Sequence, residues 1–101
     1  LAAHRIERGA RVGIAARNGI KPLFVLFDSC WDPFPRLGRQ RAPRPGVHNS
    51  GWVQSPGAEH IDDRRYAATL YEYVTGVLSQ LRNDARVLGW VLWNEWDNPA
   101  R

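Results

Sequence analysis

The sequence predicts an α/β fold with parallel strands, and three features carry that expectation. Leu23-Phe24-Val25-Leu26-Phe27 and Val87-Leu88-Gly89-Trp90-Val91-Leu92-Trp93 are continuous apolar runs rather than alternating ones. Such runs suit strands covered on both faces. Between them lies a segment with helical periodicity, and each run stops abruptly at polar residues, Asp28 in one case and Asn94-Glu95 in the other.

In chain order, Ala2 to about Arg17 repeats Ile6, Ala10 and Ile14 every four residues, with arginines and Glu7 on the other face. That spacing predicts an amphipathic helix, which Asn18-Gly19 stops with a left-handed turn. Pro22 then leads into the first strand, over Leu23 to Phe27. Ser29 to about Ile61 contains Pro33, Pro35, Pro43, Pro45 and Pro56, so neither a long helix nor a central strand is expected there. Loops of such length in compact domains are usually functional or disordered, and Trp31, Phe34, Val47, Trp52 and Val53, with apolar surface enough to pin the loop onto a folded body, favour a structured, functional one. Asp62 or Asp63 is the expected cap of a second helix reaching about Arg82. Its stripe is Tyr66, Leu70, Tyr73, Val74, Val77, Leu78 and Leu81, the width of face that packs on a sheet. Asn83-Asp84 breaks that helix, Val87 to Trp93 is the second strand, and Asp97-Asn98-Pro99 forms the following turn.

A strand–helix–strand crossover between parallel strands places their carboxyl ends, Asp28 and Asn94-Glu95, on one edge of the sheet. Ligands bind at that edge in open sheets and barrels alike. The long loop leaves from the same edge.

Composition narrows the partners. Net charge is +4, carried by arginine with Lys21 as the sole lysine. The arginines are spread over helices and one loop without a nucleic-acid fold motif, so solvated faces are expected and no nucleic-acid partner. No apolar run approaches the roughly 20 residues of a membrane span. Cys30 stands alone, which rules out an internal disulfide and a cysteine-based zinc site. With no methionine in the chain, Leu1 is not expected to be the start of translation; residues 1–101 read as an interior piece of a longer protein. The compartment is left open, a secreted or periplasmic protein being compatible.

The segment Gly89-Trp90-Val91-Leu92-Trp93-Asn94-Glu95 resembles the fourth barrel strand of the clan A retaining glycoside hydrolases, the superfamily of the family-five cellulases, mannanases and xylanases. The resemblance implies a partial (β/α)8 barrel, with residues 1–101 running from about the second helix through the fourth strand. A complete barrel takes roughly 250 residues. It also implies hydrolysis of a β-linked poly- or oligosaccharide by double displacement. Glu95 corresponds to the general acid/base, and Asn94 to the residue that binds the 2-hydroxyl of the cleaved sugar. The nucleophile is a glutamate on the seventh strand, beyond this chain, so the isolated chain is expected to be inactive. Many members read Asn-Glu-Pro, whereas Trp96 follows here.

The remaining residues are assigned by chemistry. Trp31 and Trp52 are candidate stacking platforms for a pyranose face, while Asp28, His48 and Asn49 are candidate hydrogen-bond partners for sugar hydroxyls, as is Asp32. Trp93 and Trp96 are expected to shield Glu95 from water, the environment that suits a carboxylic acid to proton donation. Trp90 is expected in the core. Arg36, Arg39, Arg41 and Arg44 read as a solvated loop face, with an acidic-sugar contact as the minority reading. No cofactor or metal is expected. Two alternatives stay open. One is a carbohydrate-binding barrel without catalysis. The other is a metal-dependent hydrolase using Asp28, Asp32, His48 or His60, although no His-x-His spacing occurs. A dinucleotide fold is disfavoured, since neither strand is followed by Gly-x-Gly-x-x-Gly.

Overall fold

The computed structural model describes residues 2–29 and 31–97, and the side chains from Arg8 onward. Cys30 and the expected turn residues Asn98 and Pro99 lie outside the described residues. The chain runs α1 (Ala2–Arg17), β1 (Leu23–Asp28), a short helix α2 (Ala58–Ile61), a 3-10 turn (Arg64–Tyr66), α3 (Ala67–Leu81) and β2 (Gly89–Asn94).

The two strands pair in parallel, with Leu23 opposite Gly89, Val25 opposite Val91, Phe27 opposite Trp93 and Asp28 opposite Asn94. Alternation along the strands puts Phe27 and Trp93 on one face and Phe24 and Trp90 on the other. Ring contacts agree, with centroids 5.2 Å apart in the first pair and 5.1 Å in the second. α3 packs on the sheet through a buried cluster of Val77 with Leu26 and Phe27, around which Leu70, Val74, Trp90 and Trp93 pack. The Tyr73 ring lies 5.6 Å from Phe27 and its hydroxyl donates to the Leu26 carbonyl at 3.4 Å. Thus Leu70, Tyr73, Val74 and Val77 of the expected stripe meet the sheet, Val77 and Leu81 are the buried residues of α3, and Tyr66 instead stays exposed in the 3-10 turn with its ring against His60.

Three expectations are corrected. Continuous hydrophobicity predicts strands buried on both faces, yet Leu23, Val25 and Leu92 remain about half exposed, because the sheet has two strands. The Cα radius of gyration, 15.4 Å, exceeds the roughly 13 Å of a compact domain this long, as an open sheet requires. In α1, Val12 is the fully buried residue and Ile14 is exposed, so the inward face is rotated from the Ile6-Ala10-Ile14 line. Finally, the second helix is not continuous from Asp62. Asp63 instead caps the 3-10 turn, its carboxylate accepting from the Arg65 backbone N–H at 3.0 Å, and α3 grows out of that turn. Arg65 holds the Asp63 carboxyl below its ordinary range. The same device recurs after α3: Asp84 accepts from the Arg86 backbone N–H at 3.0 Å and from its guanidinium at 2.7 Å. That lowers the Asp84 pKa to about 2. An Asp-x-Arg clasp therefore brackets the helix on both sides and turns the chain toward β2.

Candidate functional site

Residues 29–57 do not wander. From the end of β1 the chain leaves and returns antiparallel beside it, Asp28 and Ser55 exchanging backbone hydrogen bonds of 2.8 and 2.9 Å. Farther out, Gln54 N–H donates to the Asp32 carbonyl at 2.8 Å, and Ala58 N–H to the Pro33 carbonyl at 2.8 Å. The interior of this return is polar and tight. Gln54 is 4% exposed, and Gly57 sits where an added Cβ would come within 2.7 Å of the Pro35 ring. The Arg41 guanidinium closes the outer turn by pairing with the Asp32 carboxylate and donating to the Phe34 carbonyl at 2.9 Å. Pinning by large apolar groups contributes less than expected, since Phe34, Val47 and Trp52 are exposed.

Asp28 is the hub of the carboxyl edge. One carboxylate oxygen accepts from Ser29 N–H and from the Asn94 amide, both at 3.0 Å; the other accepts from the Trp31 indole N–H at 3.1 Å. It thereby joins the ends of both strands to the first aromatic residue of the loop. Ser29 adds a second tie, its hydroxyl donating to the Glu95 carbonyl at 2.6 Å. Glu95 itself adopts φ +56°, a left-handed conformation that a non-glycine residue holds at a cost of about 1 kcal/mol or more. The bend it creates ends β2 and brings Glu95 to the loop.

An open cleft of about 1060 Å³ lies between the loop and the end of β2. Trp31, Trp52, His48, Asn49, Asp32 and Glu95 line it together with Arg41 and Arg44. Six of the eight residues singled out as a sugar site therefore meet in one cleft. Asp28 and Asn94 are not among its lining residues; bonded to each other, they adjoin Trp31 and Glu95, which are. Trp31 and Trp52 meet edge to face with centroids 5.1 Å apart, and Trp52 is 55% exposed, so indole surface stays open to a ligand. The shield expected over Glu95 is not formed: Trp96 is 77% exposed, Trp93 packs against Phe27, and Glu95 is exposed. His60, the other loop histidine, lies elsewhere, its ring 4.1 Å from Tyr66. Among the described residues no three of His, Cys, Asp and Glu are grouped as a metal ion requires.

Several members of the site are not evident from sequence. Ser29 and Ser50 give no signal, being ordinary loop serines. Arg41 and Arg44 read as solvated, and only the folding back of the loop brings them to the cleft wall. No protein-family model, no curated protein and no solved structure matches this chain.

Proposed function

We propose that residues 1–101 are part of a (β/α)8-barrel glycoside hydrolase that cleaves a β-linked poly- or oligosaccharide with retention, Glu95 serving as general acid/base. The observation that carries this reading is the position of Glu95. It ends a strand parallel to β1, next to Asn94, and opens on a cleft walled by Trp31 and Trp52. A glycosidic oxygen in that cleft would receive its proton from Glu95 while a partner carboxylate attacks the anomeric carbon, forming a glycosyl ester. Glu95 then takes a proton from water, which displaces the ester and frees the sugar. Retention needs the two carboxyl groups about 5 to 5.5 Å apart. The partner belongs to the seventh strand that the resemblance implies, outside residues 1–101. Trp52 supplies an apolar platform for a pyranose face; His48 and Asn49 supply hydrogen bonds to hydroxyls. Asp28 orients Asn94 by accepting one of its amide N–H bonds, leaving the amide oxygen and the second N–H for a 2-hydroxyl.

The test compares the full-length protein with its Glu95→Ala variant on an aryl β-glycoside bearing a good leaving group. That leaving group needs little protonation, so the glycosyl ester accumulates and added azide restores turnover as a glycosyl azide. Undiminished activity without azide removes Glu95 from the mechanism. Binding of the sugar with no turnover in the wild type points to a carbohydrate-binding barrel instead.

A further inference from the structure

We propose that the sugar taken by this cleft is acidic, a β-linked uronate whose carboxylate pairs with Arg44. The inference rests on the carbohydrate reading and names its substrate class. Residues 29–57 carry four arginines against one carboxylate, Asp32. Arg41 and Arg44 both line the cleft, but they are differently employed. Arg41 is spent within the loop, on the Asp32 carboxylate and the Phe34 carbonyl. Arg44 has no side-chain partner among the described residues, although its backbone is firmly placed. Its N–H donates to the Ser50 hydroxyl at 2.6 Å, and its carbonyl accepts from that hydroxyl at 3.1 Å and from Val47 N–H at 3.2 Å. The loop thus spends several hydrogen bonds on fixing the backbone of an arginine that lines the cleft. With Asp32 neutralised by Arg41, the guanidinium of Arg44 is the uncommitted charge on the loop wall of that cleft.

A guanidinium presents a planar fork that matches a carboxylate with two parallel hydrogen bonds. A neutral sugar offers only hydroxyls there, which accept single hydrogen bonds from that fork but carry no opposite charge. Trp52 beside it takes the apolar face of the same or the adjoining ring. Tryptophan and arginine together also suit a stacked nucleobase next to a phosphate, so the test includes that ligand as an opposing outcome.

The probes are tetrameric β-1,4-glucuronan and cellotetraose, which share ring, linkage and length and differ at C6, carboxylate against hydroxymethyl. Calorimetric titration of the full-length Glu95→Gln protein keeps both intact. The uronate tetramer is expected to bind about tenfold tighter than cellotetraose, the scale of a charge-assisted hydrogen bond. Arg44→Gln is expected to abolish that preference by weakening uronate binding far more than cellotetraose binding, and Arg44→Lys to keep part of it by charge alone. Equal affinity for the two tetramers overturns the acidic-sugar inference, and a preference that survives Arg44→Gln overturns the role of Arg44. Binding of neither tetramer overturns the carbohydrate reading beneath it. An eight-nucleotide oligothymidylate that outcompetes the uronate overturns the inference in favour of nucleic acid.

Discussion

Phe27 and Asp28 are adjacent in β1, yet they belong to regions held together by different forces. Phe27 joins Leu26, Val77 and Trp93 in a layer where burial is the stabilising term and geometry is forgiving. Asp28 begins the carboxyl edge, where Trp31, Asn94 and Ser29 all donate to one carboxylate and the loop closes by backbone bonds at Ser55 and Gln54. There, little apolar surface is buried and direction decides. The layer accordingly determines whether the unit folds; the edge determines where Glu95, Trp31 and Trp52 stand.

Mutations on each side should separate these roles. Phe27→Ala removes the aromatic centre of the layer and is expected to lose about 3 to 4 kcal/mol in urea denaturation of the full-length protein. A loss confined to the cleft, with stability intact, would break the distinction at once. Gly57→Ala tests the tightness of the edge. Its backbone is ordinary, φ −65°, so the cost comes from contact with the Pro35 ring at 2.7 Å and the Pro33 carbonyl at 3.2 Å. About 1 to 3 kcal/mol is expected from thermal unfolding, with the loop rather than α3 losing hydrogen-exchange protection.

Asp28→Ala sharpens the comparison, because its two effects differ in size. Stability should fall by only about 1 kcal/mol, as partly exposed donors on Trp31 and Asn94 regain water. On the proposed function, kcat/KM should fall up to about 100-fold, since Asn94 and the cleft wall lose their common anchor. Proportionate losses in both quantities would mean that Asp28 is structural alone. The smallest effect is expected at the clasp after α3. Asp84 titrates at about 2 when folded against 3.8 otherwise, held there by Arg86. A depressed carboxyl stabilises the fold above its unfolded pKa, and that contribution disappears as pH falls through the folded one. Wild type should therefore exceed Asp84→Asn slightly at pH 5, and the gap should close between about pH 4 and pH 2 in acid-unfolding curves. A gap that persists at pH 2 would assign the effect to turn geometry instead of charge.

Much of the layer was legible in the chain itself. The apolar run at Leu23, the Asn18-Gly19 stop and the stripe from Leu70 to Leu81 each follow from local spacing, and the structure places β1, α1 and α3 accordingly. Boundaries slipped where two local signals competed. Asp62 and Asp63 both suit a cap, and the clasp with Arg65 selected the second while bending the chain through a 3-10 turn. Val87 and Leu88 belong to the apolar run but precede β2, because pairing with β1 begins opposite Gly89.

The site divides in the same way. Sequence alone determined which residues have chemistry to offer: a glutamate after an apolar strand, loop tryptophans, a histidine and an asparagine. It determined that both strands end in polar groups, because a covered strand must change character where it leaves the layer. Tertiary structure decided which of these meet. The return of residues 29–57 along β1 brings His48, Asn49 and Trp52 to Glu95, some forty residues away in the chain. It separates Arg41, consumed by Asp32, from Arg44, left facing the cleft. Local periodicity reports only which side of an element is apolar. Backbone bonds between distant segments, and the carboxylate that gathers their donors, arise only once the chain has closed on itself.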